Sequence, residues 1–323
     1  DIPSIYEAAM VADDDNGNLA DGTPNICAIQ AAFSDHGLAT ATEFSAIAID
    51  HEHAAHGAQP NPPIPIEATV AAAHSECSNG EVGEVRLVYS ENGGQSWASR
   101  TMVSQGGDLY TDELPPSPEG AQLRYRIEAQ DLATGEWINQ PDNPADPGYY
   151  LYVGGLEAIL CDDFETDQGW THALLQGDNV EGADDWNRGA PSGAAGDPGV
   201  AHSGINAWGN DLAIYPDWDG LYQNERRNAL TSPVHDLSGE STVRLQFRRW
   251  LQVEDGIYDQ GKIYVNEQLV WSNAGADGEV HHTDREWILF DLDISAQAAG
   301  QSAVQIRFEL ASDQGLQFGG WNI

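Results

Sequence analysis

The spacing of apolar positions changes character along this chain. In the first 37 residues it is helical: Ile5, Ala8, Ala9 and Val11 mark one short helix, and Ile26, Ile29 and Phe33 mark one face of a second. Thr23-Pro24 gives the second helix an N-cap and a proline at its first position, where a missing N–H costs nothing. His36-Gly37 ends it, because glycine tolerates the left-handed cap. Between residues 38 and 66 the periodicity gives way to a linker. Pro60, Pro62, Pro63 and Pro65 favour extended chain over a helix or a central strand, and a new domain is expected to begin near Ile66.

From there the period is two. Glu84–Ser90 alternates before the turn Glu91-Asn92-Gly93-Gly94, Leu123–Ala129 alternates cleanly, and Tyr149–Val153 closes the region. Roughly seven short strands with turn signals every ~8–12 residues predict an immunoglobulin-like or fibronectin-like sandwich. The Cys…Trp…Cys spacing of antibody-type domains is missing. Beyond residue 156, strands are expected at Val243–Leu251, Gly261–Val265, Gln268–Trp271, Trp287–Leu292 and Ala303–Leu310, separated by long glycine-rich loops that suit a two-sheet jelly roll. Gly319–Ile323 reads as the middle of a strand. The fold class is therefore mainly β. Residues 1–58 are a helical remnant plus linker, 59–155 a β-sandwich and 156–323 a jelly roll.

Charge narrows the function. Among 323 residues, 52 Asp and Glu face 13 Lys and Arg, a net charge of −39, and Lys262 is the only lysine. Such a surface repels phosphate backbones and excludes nucleic-acid binding. It suits solubility in a saline medium, where screening removes self-repulsion, and it leaves carboxylates available to calcium, a hard cation that takes oxygen ligands. No run of about 18 apolar residues spans a membrane. The opening DIPSIYEAAM has no signal-peptide character, so export implies a targeting segment upstream. Cys27, Cys77 and Cys161 lack zinc-ligand spacing; one disulfide, with Cys77–Cys161 preferred, and one free thiol are expected.

The stretch Asp13–Asn25, leading into a helix that ends Ala31-Ala32-Phe33-Ser34-Asp35-His36-Gly37, resembles the close of the catalytic domain in bacterial secreted zinc metallopeptidases of the fungalysin and thermolysin-like kind, although Asp21 stands where asparagine is usual. The segments Tyr89–Gly94 and Leu123–Asp131 resemble the sandwich that often follows in such peptidases. Asp163-Phe164-Glu165 to Gly169-Trp170, His202–Gly209, Leu230–Gly239 and Gln305–Phe308 resemble the jelly-roll module of immune-inhibitor-A-type enzymes. The resemblance implies an extracellular accessory region that binds substrate, protein or polysaccharide, and positions an upstream peptidase domain. Zinc belongs to that absent catalytic domain. A stand-alone carbohydrate- or surface-binding module and a subunit of an extracellular assembly are the alternatives.

Candidate chemistry within the chain is sparse. A zinc peptidase needs two histidines at i, i+4 on a helix with a glutamate beside the first; His51-Glu52-His53-Ala54-Ala55-His56 places alanine at the second ligand and lies beside the prolines. There is no Gly-x-Ser-x-Gly elbow, and acidic pairs such as Glu254-Asp255 read as solvated turns. The chain alone is therefore expected to be non-catalytic. The expected calcium ligands are Asp163 and Glu165, two apart on one strand face, together with Asp211, because similar jelly rolls clamp their terminal strands with calcium. The acidic run Asp13–Asn16 reads instead as a solvated turn. Among the tryptophans, Trp250 and Trp287 fall at strand periodicity and are expected in the core. Trp186 and Trp218, flanked by aspartates, are expected at the surface as sugar or surface contacts.

Overall fold

Residues 2–13, 25–34, 47–72, 74–75, 78–214 and 218–323 are described by a computed structural model. They form two compact units. The first takes Asp1–Ala54, Asn61–Ser117 and Tyr125–Gln140; the second takes Ala55–Pro60, Pro118–Arg124 and Pro141–Ile323.

The first unit opens with helices α1 (Ile2–Asp13) and α2 (Ile26–Ser34), which meet through Tyr6 and Phe33 with ring centroids 5.3 Å apart. Asp13 is tied down: its carboxylate accepts the backbone and side-chain N–H groups of Asn25 at 2.6 and 2.7 Å. Thr23, Pro24, His36 and Gly37, the expected helix ends, lie outside the described residues. The strands that follow are β1 (Ile47–Asp50), β2 (Ile64–Ala72), β3 (His74–Ser75), β4 (Ser78–Asn79), β5 (Val82–Ser90), β6 (Ala98–Thr101), β7 (Val103–Gly106), β8 (Leu109–Leu114), β9 (Gln122–Asp131) and β10 (Trp137–Gln140). One sheet runs β1-β2-β8-β7 and the other β10-β9-β5-β6. Period two becomes alternating burial: β2 buries Ile64, Ile66, Ala68 and Val70 and exposes Pro65, Glu67 and Thr69 between them.

Two corrections arise here. The linker contains a strand, since β1 pairs Ile47–Asp50 with Ala72–Thr69 and Ile47 is buried. Four residues are too short to show a period against their surroundings. Pro65 lies inside β2, but β1 covers only Thr69–Ala72, so at Pro65 the strand has β8 on one side alone and the missing N–H breaks no ladder.

The second unit contains β11 (Tyr149–Tyr152), β12 (Thr171–Gln176), β13 (Trp186–Gly189), β14 (Ala207–Asn210), β15 (Arg227–Thr231), β16 (Arg244–Val253), β17 (Gln260–Val265), β18 (Gln268–Ser272), β19 (His282–Thr283), β20 (Ile288–Asp293), the short helix α3 (Ser295–Ala298), β21 (Ile306–Ala311) and β22 (Gly320–Asn322). A five-stranded sheet, β12-β15-β21-β17-β18, faces a second sheet, β13-β14-β22-β16-β19, in which β20 also pairs with β16. Leu230, Ile263, Phe308 and Leu310 of the first sheet pack against Trp186, Leu251, Phe290 and Trp321 of the second. The strand pairs within these two sheets are antiparallel, which gives the expected two-layer β architecture.

At the centre of β16, the longest strand of this unit, sits a charge. Arg249 is 1% exposed; its Nε lies 2.7 Å from Asp284 and its Nη1 2.9 Å from Asp146. Asp146 also pairs with Arg124 and accepts the Tyr150 hydroxyl at 2.9 Å, while Asn143 donates to Asp284 at 2.7 Å. Burial by itself would raise the Asp146 carboxyl, but Arg124 and Arg249 overcome it and hold the group well below the usual carboxylate range. Replacing a shared buried cation strands the carboxylates around it. Arg249→Met is therefore expected to lower stability by about 3–5 kcal/mol, read as an earlier urea midpoint in tryptophan fluorescence. An unchanged midpoint would show that the network is dispensable.

Candidate functional site

The structure separates the histidines of the zinc-like run. His51 Nδ1 lies 2.6 Å from the Glu67 carbonyl and its Nε2 2.8 Å from the Tyr125 hydroxyl, while His53 packs against the same tyrosine ring. His56 belongs to the second unit, where its Nδ1 is 3.0 Å from Asp291. None of the three lies on a helix. Cys161 is exposed and unbridged among the described residues; Cys77, its preferred partner, lies outside them.

Nor does the structure bring the expected calcium ligands together as free carboxylates. Asp163 and Glu165 lie outside any strand, and Asp163 Oδ1 accepts the Glu165 N–H at 3.1 Å. Glu165 is itself consumed by the backbone N–H groups of Ile205 and Asn206, at 2.7 and 2.8 Å. Asp211 is buried and accepts N–H groups of Ala213, Gly220 and Asp219. The three act as loop staples.

Tryptophan placement reverses the expectation. Trp186 is 1% exposed and faces the sandwich interior; the acidic neighbour that suggested exposure, Asp185, is itself buried. Asp185 accepts the side-chain amides of Asn210 and Asn228, at 2.9 and 2.7 Å, and the Gln223 N–H at 3.1 Å. Trp218 is half-buried. Trp250 and Trp287, expected in the core, are half-buried and stack edge to face at 5.9 Å. Their ring N–H groups donate to the Gly196 and Val200 carbonyls at 2.9 and 3.1 Å. A long loop from the strand's outer side thus covers part of both rings.

A recess of the second unit lies beside β16. Arg244–Arg249 face Asp293–Ile288 of β20 on one edge. On the other edge β22 reaches only Trp250–Gln252. Leu245–Arg248 therefore pair with β20 alone; β22 runs antiparallel to β16 with Asn322 opposite Trp250, and the sequence stops at Ile323 before it comes level with them. A groove of about 360 Å³ lies there, floored by Leu245, Phe247, Ile306 and Phe308 and flanked by Trp170, Trp287 and Arg248, with Ile323 also in its lining. Leu245 and Phe247 pack against the core and are half-buried. Arg248, on the alternate face, forms no ion pair among the described residues. Burial in this wall lowers its basicity. The strand expectation at Val243–Leu251 was legible; its partners were not, because pairing is a tertiary property.

Chemically, the groove offers an apolar floor and one guanidinium. Among the described residues, no helix is long and apolar enough to cross a membrane.

Comparison with known proteins finds similarity to part of one curated protein. No protein-family model matches the chain. Bacillopeptidase F of Bacillus subtilis (strain 168) is 27% identical over 252 residues, covering 76% of this chain and 16% of that protein. The chain thus spans a small part of that relative's length. Among solved structures, a carbohydrate-binding module of the β-sandwich superfamily aligns over 86% of this chain and 96% of its own, at 12% identity and a TM-score of 0.28. The α-L-rhamnosidase of Aspergillus terreus aligns over 86% of this chain and 26% of its own, at 13% identity and a TM-score of 0.23. At such scores neither superposition transfers a ligand or an activity.

The Asp185 cage has a pH consequence. Burial pushes its carboxyl up to about 6, against the opposing pull of the Asn210, Gln223 and Asn228 hydrogen bonds, with Asp211 adding to the rise. A carboxyl whose folded pKa is raised favours the fold below the unfolded value and loses that contribution as pH rises through the folded one. Stability should therefore decline between pH 4 and 6 by about 3 kcal/mol from this group. Asp185→Asn is expected to flatten that part of the melting-temperature profile; an identical slope in the variant would assign it to other groups.

Proposed function

We propose that this chain is a non-catalytic accessory region of a secreted peptidase, and that its second unit binds the polypeptide substrate. The observation that carries the reading is the similarity to Bacillopeptidase F over 76% of the chain.

The peptidase connection is supported by the match to Bacillopeptidase F and by the resemblance of Asp13–Gly37 to the close of a zinc peptidase domain. The zinc class rests on that segment alone. A His-Glu-x-x-His helix encoded upstream would support it, and a peptidase domain without that helix would keep the accessory role and remove the metal. A gene with no peptidase domain would overturn both.

A second reading is a sugar-binding site built on Trp250, Trp287 and the nearby His202, whose ring lies 6.4 Å from Trp287. Stacking on a sugar needs an open aromatic face, and the engaged ring N–H groups of Trp250 and Trp287 favour the polypeptide reading. The two separate in one experiment. Tryptophan fluorescence is followed while the protein is titrated with a seven-residue peptide of alternating valine and threonine and with a neutral β-glucan. Binding of the peptide, with no response to the glucan, is expected. A response to the glucan with none to the peptide would replace the proposal with the sugar reading.

A further inference from the structure

The turn between β16 and β17 places acids where no cation of the protein reaches them. Glu254 follows the last residue of β16, Asp259 precedes the first of β17, and Asp313 lies just past the end of β21. Because β17 and β21 are paired with Gln260 opposite Ala311, their flanking residues meet at one end of the sandwich. One carboxylate oxygen from each of the three acids lies within 4.8 Å of the others. Oxygens that share a calcium ion at 2.3–2.6 Å lie no more than about 5 Å apart.

The neighbours of these carboxylates are unusual. Glu254 is 6% exposed and Asp259 fully buried, while Asp313 is half-buried. Asp259 Oδ2 accepts the Tyr222 hydroxyl at 2.5 Å, and its Oδ1 accepts the Asp313 N–H at 2.7 Å. Asp313 Oδ1 accepts the Gly315 N–H at 2.5 Å. Glu254 accepts the backbone N–H of Leu316, yet its Oε2 is buried with no hydrogen-bond partner. No arginine, lysine or histidine forms an ion pair with any of the three among the described residues. A buried acceptor left unsatisfied next to two like charges is costly, and such an atom calls for a ligand.

Gly315 closes the recess. A Cβ there would stand 2.8 Å from Asp313 Oδ1 and 3.2 Å from Glu254 Oε2, so a bare backbone is required against the oxygens. The turn's other acid, Asp255, is fully buried but saturated by N–H groups of Ile257, Ala276, Gly278 and Val280, and serves to fix the turn. This corrects the solvated-turn reading of Glu254-Asp255.

We propose that Glu254, Asp259 and Asp313 bind one divalent cation of the calcium class, which clamps the segment between β21 and β22 to the β16–β17 turn. The donor set is all oxygen, as a hard cation requires, and the unpartnered Glu254 Oε2 is the ligand atom waiting in the recess. The site is independent of the β16 groove, so each proposal can fail without the other.

The test uses the full chain stripped with chelator. Terbium is added with excitation of aromatic side chains, since Tyr222 touches Asp259 and would sensitise a bound ion; calcium then displaces it. Melting is followed in parallel against calcium, magnesium and ionic-strength-matched sodium chloride, because a chain of this charge responds to any salt. One saturable calcium site is expected, with a melting-temperature rise beyond that of matched sodium. Glu254→Gln and Asp313→Asn should each weaken calcium binding at least tenfold, whereas Glu165→Gln should not change it. Should Glu254→Gln fail to fold, Asp313→Asn carries the same reading on a half-exposed side chain. Equal responses to calcium and matched sodium, or calcium binding unaltered in Asp313→Asn, would overturn the proposal.

Discussion

A single buried guanidinium organises the larger unit. In a chain with 13 basic residues and 52 acidic ones, Arg249 is withdrawn from water and placed between Asp146 and Asp284. A lone arginine at that depth would be prohibitive, and so would either aspartate. Together, with Asn143, Tyr150 and Arg124 occupying the remaining oxygens, they become a cross-link between the 141–150 segment, the approach to β20 and the middle of β16. Arg249 also lies 4.9 Å from the Phe290 ring centre, so the charge is sealed by an aromatic face where water would otherwise enter. Apolar packing alone would permit β16 to slide against its neighbours, but a directional ion network does not.

Everything of functional interest in this unit is a variation on that strand. Its first half pairs with β20; its middle carries Arg249; its last residue leads into Glu254. The same backbone therefore runs from the apolar residues Leu245 and Phe247 to converging carboxylates, and the Arg249 network fixes the strand between them.

What the sequence made legible follows the range of the forces involved. Alternation at Leu123–Ala129, Val243–Leu251 and Gly261–Val265 reports a local property, one face buried and one wet, and strands stand at those places. Helical spacing around Ile5 and Ile29 likewise survives in α1 and α2. The sites obey longer-range rules. Asp185 and Glu254 read as solvated acids because side chains between 25 and 59 residues away, Asn210, Asn228 and Asp313, decide their surroundings. Trp186 and Trp287 exchanged roles for the same reason: an aspartate neighbour implies water only if that aspartate has no amides to hold it. Glu165 looked like a ligand because carboxylates two apart share a face in a strand, and the segment is not one. Composition told of abundant carboxylates without saying which of them meet.

The position of Arg249 within β16 also bears on how such a domain can diverge. A one-residue insertion or deletion anywhere in Arg244–Arg249 would turn the guanidinium to the opposite face of the sheet, away from both aspartates, and would carry Leu245 and Phe247 out of the interior with it. Substitutions along the strand can be tried one at a time, but changes of length cannot. Lineages carrying this domain should therefore vary in length in the connecting loops, such as residues 178–185 and 196–206, while β16 keeps its residue count even where most of its letters have changed.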